Sequence, residues 1–313
     1  MDADRRYDAP PLDAELAKVL AAENAGPFRL TPGMIAEVRA TAPPSAPVDL
    51  ERGGRFTVEE HTRAGVPLLI ARPVTKARGC IYYIHGGGMM FGDNRRGVGR
   101  LLDWAEAFGL VAVSVDYRLA PEHPHPAPVE DCYLGLQWTA EHAGELGFNP
   151  AALVVAGISA GGGLAAAVAL LARDRNGPAL AGQLLLCPML DDRNDSPSAM
   201  QMADVDMWDR VSNQTGWGAL LGDADVSPYA APARATDLSG LPPAFVDVGS
   251  AETLRDEGVA YASRIWQAGG AAELHVWPGG VHAFDSMAPD IALSRDARQA
   301  RLQWLARILP SDE

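Results

Sequence analysis

The sequence predicts an α/β protein: a mostly parallel central sheet with helices on both faces and a helical cap. Three observations carry this. Short apolar runs at 66–71, 80–84, 111–115, 153–156, 184–187, 244–248 and 273–277 read as strands. Helical stretches at 96–108, 129–145, 164–173, 255–267 and 294–308 fall between them, the rhythm of a parallel sheet covered on both sides. Finally, two glycine-rich loops directly follow strand candidates, where open sheets of this kind bind ligands.

Before the sheet, the stretch from Leu12 to about Arg39 reads as two short amphipathic helices broken around Gly26-Pro27. The Pro-rich linker Ala42-Pro43-Pro44-Ser45-Ala46-Pro47 ends this lobe. After Pro188 the chain turns acidic, Asp191-Asp192-Arg193-Asn194-Asp195. It then offers Met207, Trp208, Val211, Trp217, Leu220 and Leu221 before Gly222, an inserted helical segment. The expected division is residues 1–47 as N-terminal cap helices and linker, 48–190 and 228–313 as the two parts of one core, and 191–227 as inserted cap.

A chain of 313 residues suits one large unit with an accessory lobe, and 48% hydrophobic with 21% charged residues is an ordinary globular composition. The formal net charge of −14 repels phosphate backbones and anionic headgroups, so no nucleic-acid or membrane partner is expected. The pair Arg95-Arg96 is read as solvent-facing at a helix start and without function. Cys80, Cys132 and Cys187 cannot all pair and show no metal-ligand spacing, so a reducing compartment and no metal are expected. The start Met1–Tyr7 is polar and leads into no apolar signal core, which by default places the protein in the cytoplasm. A homodimer is left open.

Gly157-Ile158-Ser159-Ala160-Gly161 matches G-x-S-x-G between a strand and a helix candidate. There the glycines permit a tight turn that lifts a serine hydroxyl above the sheet. A plain Gly-rich turn is the alternative, and the flanking elements decide against it. His85-Gly86-Gly87-Gly88 follows strand 80–84, and its glycines leave backbone N–H groups open to a developing oxyanion. Such a serine needs an imidazole to take its proton and a carboxylate to orient that imidazole. His282 follows the last strand and meets the requirement, whereas His275 lies within the strand as a packing residue. His61, His85, His123, His125 and His142 are assigned no catalytic role. The acid should come from the loop after strand 244–248, where Asp247, Glu252, Asp256 and Glu257 are candidates. Asp247 is inside the strand, and Asp256 and Glu257 suit the first turn of the next helix. Glu252 remains, with Asp256 as runner-up.

Taken together, the chain resembles the hormone-sensitive-lipase-like bacterial carboxylesterases (family IV) of the α/β-hydrolase superfamily. The marks are His85-Gly86-Gly87-Gly88, Asp116-Tyr117-Arg118-Leu119-Ala120-Pro121-Glu122-His123, the Ser159 turn with Ala160-Gly161-Gly162, Leu254-Arg255-Asp256-Glu257 and the His282 loop. The resemblance implies Glu252 as the acid, the amides of Gly87, Gly88 and Ala160 as an oxyanion hole, and Arg118 and Glu122 as loop braces. It departs from the family at Ile158 (commonly Asp), Met89 (an aromatic), Glu252 (Asp) and Ala283 (often Gly). Met89, directly after the oxyanion loop, becomes a candidate wall of the acyl pocket.

The expected reaction is hydrolysis of a small-molecule ester of short to medium acyl chain, with no cofactor, through a Ser159–His282–Glu252 triad. Amide, lactone or carbonate hydrolysis by the same triad is the rival within enzymes. A non-catalytic ligand-binding protein on this fold, like the plant gibberellin receptors, is the rival outside them.

Overall fold

The computed structural model describes residues 8–23, 26–41, 47–223 and 225–310. The polar start Met1–Tyr7 and residues 42–46 of the Pro-rich linker lie outside the described residues.

The sheet is built from β1 (Phe56–Arg63), β2 (Val66–Pro73), β3 (Gly79–Ile84), β4 (Leu110–Val115), β5 (Leu153–Ile158), β6 (Gly182–Leu186), β7 (Ala244–Gly249) and β8 (Ala272–Trp277). Their order is β1-β2-β4-β3-β5-β6-β7-β8. β2 runs antiparallel to β1 and β4, and every other pair is parallel. Seven strands coincide with the apolar runs. β1 departs from the sequence reading, which gave it no strand. Its residues Thr-Val-Glu-Glu-His-Thr-Arg follow Phe56, which alone is buried, because an edge strand pairs on one side and hides little surface.

The helices are α1 (Ala14–Ala22), α2 (Ile35–Thr41), α3 (Val98–Phe108), α4 (Ala127–Glu141), α5 (Ala143–Leu146) and α6 (Ala160–Asp174). They continue with α7 (Pro197–Gln201), α8 (Arg210–Leu221), α9 (Arg255–Gln267), α10 (Phe284–Met287) and α11 (Ala292–Ile308). Alternate residues of β3 show how both faces fill. Cys80, Tyr82 and Ile84 pack into a core shared with α4, α6 and α9, while Ile81 and Tyr83 pack into one shared with α3 and α11. Strands buried on both faces lose the polar alternation of a half-exposed sheet, so they read as continuous apolar runs.

The stretches outside the sheet rhythm are helical as expected, α1 and α2 before it and α7 and α8 after β6. Segment 26–41 joins α8 through polar contacts: Leu30 N donates to Ser212 Oγ at 2.8 Å and Thr215 Oγ1 to the Leu30 carbonyl at 2.9 Å.

A buried ionic cluster ties the last helix to the carboxyl end of the sheet. Arg301 of α11 donates to Asp247 of β7 at 2.8 Å and to Asp285 of α10, which also receives Arg100 of α3 at 3.1 Å. Burial pushes the Asp247 carboxyl up against one arginine. At Asp285 burial is outweighed by Arg301 and Arg100, and its pKa falls to about 2. Asp285 lies three residues beyond His282, so the cluster anchors the histidine loop. Arg301→Met leaves two buried carboxylates short of a cation and should cost about 3–5 kcal/mol in urea-unfolding stability. A loss below 1 kcal/mol would show that the cluster is not a structural anchor.

Candidate active site

Ser159 sits where β5 ends and α6 begins, at φ 57° and ψ −123°. A non-glycine residue in that region is strained by about 1–3 kcal/mol and persists only where its surroundings enforce it. The neighbouring glycines supply the space. A Cβ on Gly157 would lie 2.1 Å from the Gly161 carbonyl oxygen, and one on Gly161 2.1 Å from that of Ile84. The G-x-S-x-G spacing therefore follows from backbone crossing backbone at van der Waals distance.

The three predicted chemical groups meet at this turn. His282 Nε2 lies 2.9 Å from Ser159 Oγ, and His282 Nδ1 lies 3.1 Å from Glu252 Oε2. All three residues are buried. Glu252 follows β7 and His282 follows β8, and the two loops are stitched by Ser250 N to Trp277 O at 2.8 Å, Ala251 N to Gly280 O at 2.9 Å and Gly279 N to Ser250 Oγ at 2.7 Å. Asp256, the runner-up, is elsewhere: it accepts from Ser198 N at 2.8 Å and from Arg255 at 2.7 Å, joining α7 to α9.

Burial raises the Glu252 carboxyl to about 7 despite its hydrogen bond to His282. Burial disfavours the His282 imidazolium, yet contacts with Cys187 and Glu252 outweigh it, and the net direction is upward. Asp206 adds a second acid that the sequence reading did not single out. It is buried beside this pair, and its Oδ2 accepts from Thr253 N at 2.9 Å and Thr253 Oγ1 at 3.1 Å, bracing the acid loop. No periodicity or motif marks Asp206, since its role exists only once segment 191–227 folds back.

Gly87 and Gly88 lie in the turn after β3, and Ala160 opens α6. Among the described residues the N–H groups of Gly87 and Gly88 donate to no protein acceptor, whereas the Gly87 carbonyl accepts from Met90 and Phe91 at 3.0 and 2.9 Å. Gly87 has φ 127°, and a Cβ there would lie 2.1 Å from the Phe91 carbonyl oxygen, so only glycine fits.

One reading is corrected. Met89 does not line the cavity. At φ 58° its side chain turns into the core beside Tyr117 and Ala120 with 1% exposure, and Phe91 forms the wall instead. Arg118 and Glu122, expected as loop braces, each tie the loop to another element. Arg118 chelates Asp131 at 2.8 and 2.7 Å, and Glu122 accepts from Arg39 at 2.7 Å.

Two of the other histidines are held by packing. His85 is fully buried, stacks on Tyr117 at 4.2 Å, and is lowered by burial to about 4, so it stays neutral. His275 stacks between Phe245 and Trp277.

A cavity of about 690 Å³ opens over Ser159 and His282, lined by Gly86, Gly87 and Gly88 and by Phe28, Met207 and Trp208. Trp208 overlies the glycine turn: a Cβ on Gly88 would lie 2.4 Å from its ring. Its Nε1 donates to Asn213 at 3.0 Å, whose amide donates to Asn194 at 3.0 Å. Trp217, by contrast, is a core residue. Cys187 approaches Glu252 and His282, their donor atoms lying within 4.8 Å of one another. Burial keeps its thiol protonated, so a metal there would have to displace that proton and break the histidine's hydrogen bonds.

A serine on a strained strand-to-helix turn of a mostly parallel sheet, hydrogen-bonded to a histidine from the last strand's loop, defines an α/β hydrolase. The model for the alpha/beta hydrolase fold matches residues 81–286, and the chain belongs to the hormone-sensitive-lipase-like (family IV) branch of that fold. It is 39% identical over 238 residues to carboxylesterase NlhH of Mycobacterium tuberculosis, covering 73% of each chain. It is 33% identical to an arylesterase of Saccharolobus solfataricus over 79% of this chain and 81% of that one. Among solved structures a bacterial heroin esterase superposes with a TM-score of 0.88 at 34% identity, covering 96% of this chain and 98% of the other. The protein is a serine carboxylesterase whose substrate is a small ester. No helix among the described residues is long and apolar enough to cross a membrane.

Proposed function

We propose that Ser159, His282 and Glu252 form the catalytic triad and that the amides of Gly87, Gly88 and Ala160 form the oxyanion hole. The observation that carries this is the unbroken buried relay from Ser159 Oγ to His282 Nε2 at 2.9 Å and from Nδ1 to Glu252 at 3.1 Å, beside glycine amides without an acceptor. Nδ1–H donates to the carboxylate, which leaves Nε2 free to take the serine proton as Oγ adds to the ester carbonyl. The oxyanion gathers at the amides. His282 then hands its proton to the departing alcohol oxygen, and water, deprotonated in turn by His282, releases the acid and restores the serine hydroxyl.

In the division 1–47, 48–190, 191–227 and 228–313, the described residues of the first and third segments form a cap over the described residues of the second and fourth. The contacts of Leu30 with Ser212 and Thr215, and the presence of Phe28, Leu30, Met207 and Trp208 in the cavity wall, support that division. A cap closing over a cavity of about 690 Å³ favours acyl chains of short to medium length. The reading keeps a cytoplasmic location, and light scattering decides between monomer and homodimer.

A fluorophosphonate should label the protein once, at Ser159 by peptide mass spectrometry. A series of p-nitrophenyl esters should then peak at short to medium chains. Labelling elsewhere would remove Ser159 as nucleophile, and faster hydrolysis of emulsified long-chain triglycerides would remove the chain-length reading.

A further inference from the structure

The cavity over Ser159 has a second, polar end. There Tyr83, Arg95, Arg96, Arg100 and Ser286 line it, around the start of α3. In a chain of formal net charge −14, the cavity lining among the described residues carries three arginines and no Asp or Glu. Two of the three are occupied. Arg95 pairs with Glu60, and Arg100 binds Asp285 at 3.1 Å and Ser286 Oγ at 2.7 Å. Arg96 has no acidic partner among the described residues; its backbone N–H donates to the Asp93 carbonyl at 3.1 Å.

Two further observations point to a missing acceptor at the same place. The Tyr83 side chain is fully buried, yet its hydroxyl has no hydrogen-bond partner. It is aimed at Gly97 in the cavity wall, where a Cβ would lie 2.4 Å from the hydroxyl oxygen. Buried polar groups without partners are uncommon in native proteins and are often completed by a ligand. Gly97 is also the cap of α3, an eleven-residue helix whose N-terminus no side chain caps, so its positive dipole end faces the same space.

We propose that this end of the cavity is a carboxylate subsite, and that the enzyme selects esters carrying a free carboxylate remote from the scissile bond. The proposal rests on the Ser159 reading of the site. One unpaired guanidinium, with its planar fork of donors, matches one carboxylate, and the Tyr83 hydroxyl supplies a further donor. A phosphate monoester would bring about two charges to a single free cation. The same cavity is also lined by the apolar Leu30, Val38, Phe91 and Met287, which suits a methylene spacer.

The test compares kcat/KM for monomethyl and dimethyl esters of the dicarboxylic acids from succinic to suberic, followed in a pH-stat, with acetates of ω-hydroxy acids to place the carboxylate on the alcohol side. At the best spacer length the carboxylate-bearing ester should exceed its neutral counterpart by about tenfold, the lower end expected of a charge-assisted hydrogen bond at a partly exposed arginine. High salt should narrow that ratio. Arg96→Gln should reduce it about tenfold, Arg96→Lys should retain part of it, and Tyr83→Phe should lower it severalfold. A wild-type preference for the neutral ester at every length, or a ratio unmoved by Arg96→Gln, would overturn the subsite. Hydrolysis of dimethyl esters without carboxylate preference removes the subsite alone, whereas no hydrolysis of any ester together with no fluorophosphonate labelling removes the triad reading and the subsite with it.

Discussion

Ser159→Ala is expected to lower ester turnover by on the order of 10⁶, the loss seen when the nucleophile of a serine protease is removed. Among the described residues no other hydroxyl is hydrogen-bonded to His282 Nε2, so no second group is placed to form the acyl-enzyme. The mutant should stay folded. The contacts that hold the turn are made by backbone, Ser159 N to Leu186 O at 2.8 Å and the Ser159 carbonyl to Gly163 and Met189 N, each at 3.0 Å, and alanine keeps them all. Its stability should change by about 1 kcal/mol or less, the net worth of one side-chain hydrogen bond. Turnover of the purified mutant within tenfold of wild type would exclude Ser159 as nucleophile.

The second large effect belongs to Glu252, the proposed acid. Glu252→Gln keeps the shape of the side chain but removes the charge that stabilises the imidazolium, and a loss of about 10⁴ in kcat is expected by analogy with the aspartate of serine proteases. The pH profile carries an independent signature. Because Glu252 helps to raise the His282 pKa, and His282 acts as base only when neutral, the wild-type acid limb should lie above the ordinary imidazole value of 6.5. Glu252 itself takes up a proton as pH falls through about 7, which weakens the relay in the same direction. In Glu252→Gln the residual activity should show its acid limb moved to lower pH. Asp256→Asn should instead loosen the junction of α7 and α9, costing about 1 kcal/mol of stability with kcat nearly unchanged. Near-normal kcat in Glu252→Gln beside a collapse in Asp256→Asn would move the acid one helical turn later.

Met89 marks a physical limit of what local sequence encodes. Position after the glycine turn suggests a pocket wall, but the side chain's direction depends on a positive φ that non-glycine residues seldom adopt. β1 escaped for a related reason, since only its pairing with β2 makes a polar segment a strand. Arg95-Arg96 read as an ordinary solvated pair. Only the folded chain separates them, by giving Glu60 to Arg95 and leaving Arg96 in the same cavity wall without an acidic partner among the described residues.

By itself the sequence determined the parallel sheet, the order of its elements and the loops that carry Ser159, Glu252 and His282. These are local properties: apolar runs for strands buried on both faces, and glycines wherever one backbone crosses another at contact distance. What only the tertiary structure decided is which side chains from distant segments converge. Asp206 under the acid loop, Trp208 over the glycine turn, Arg301 between two carboxylates and Arg96 beside Tyr83 all depend on contacts between residues far apart in the chain. Their chemistry is set by burial and partnership, which no local pattern encodes.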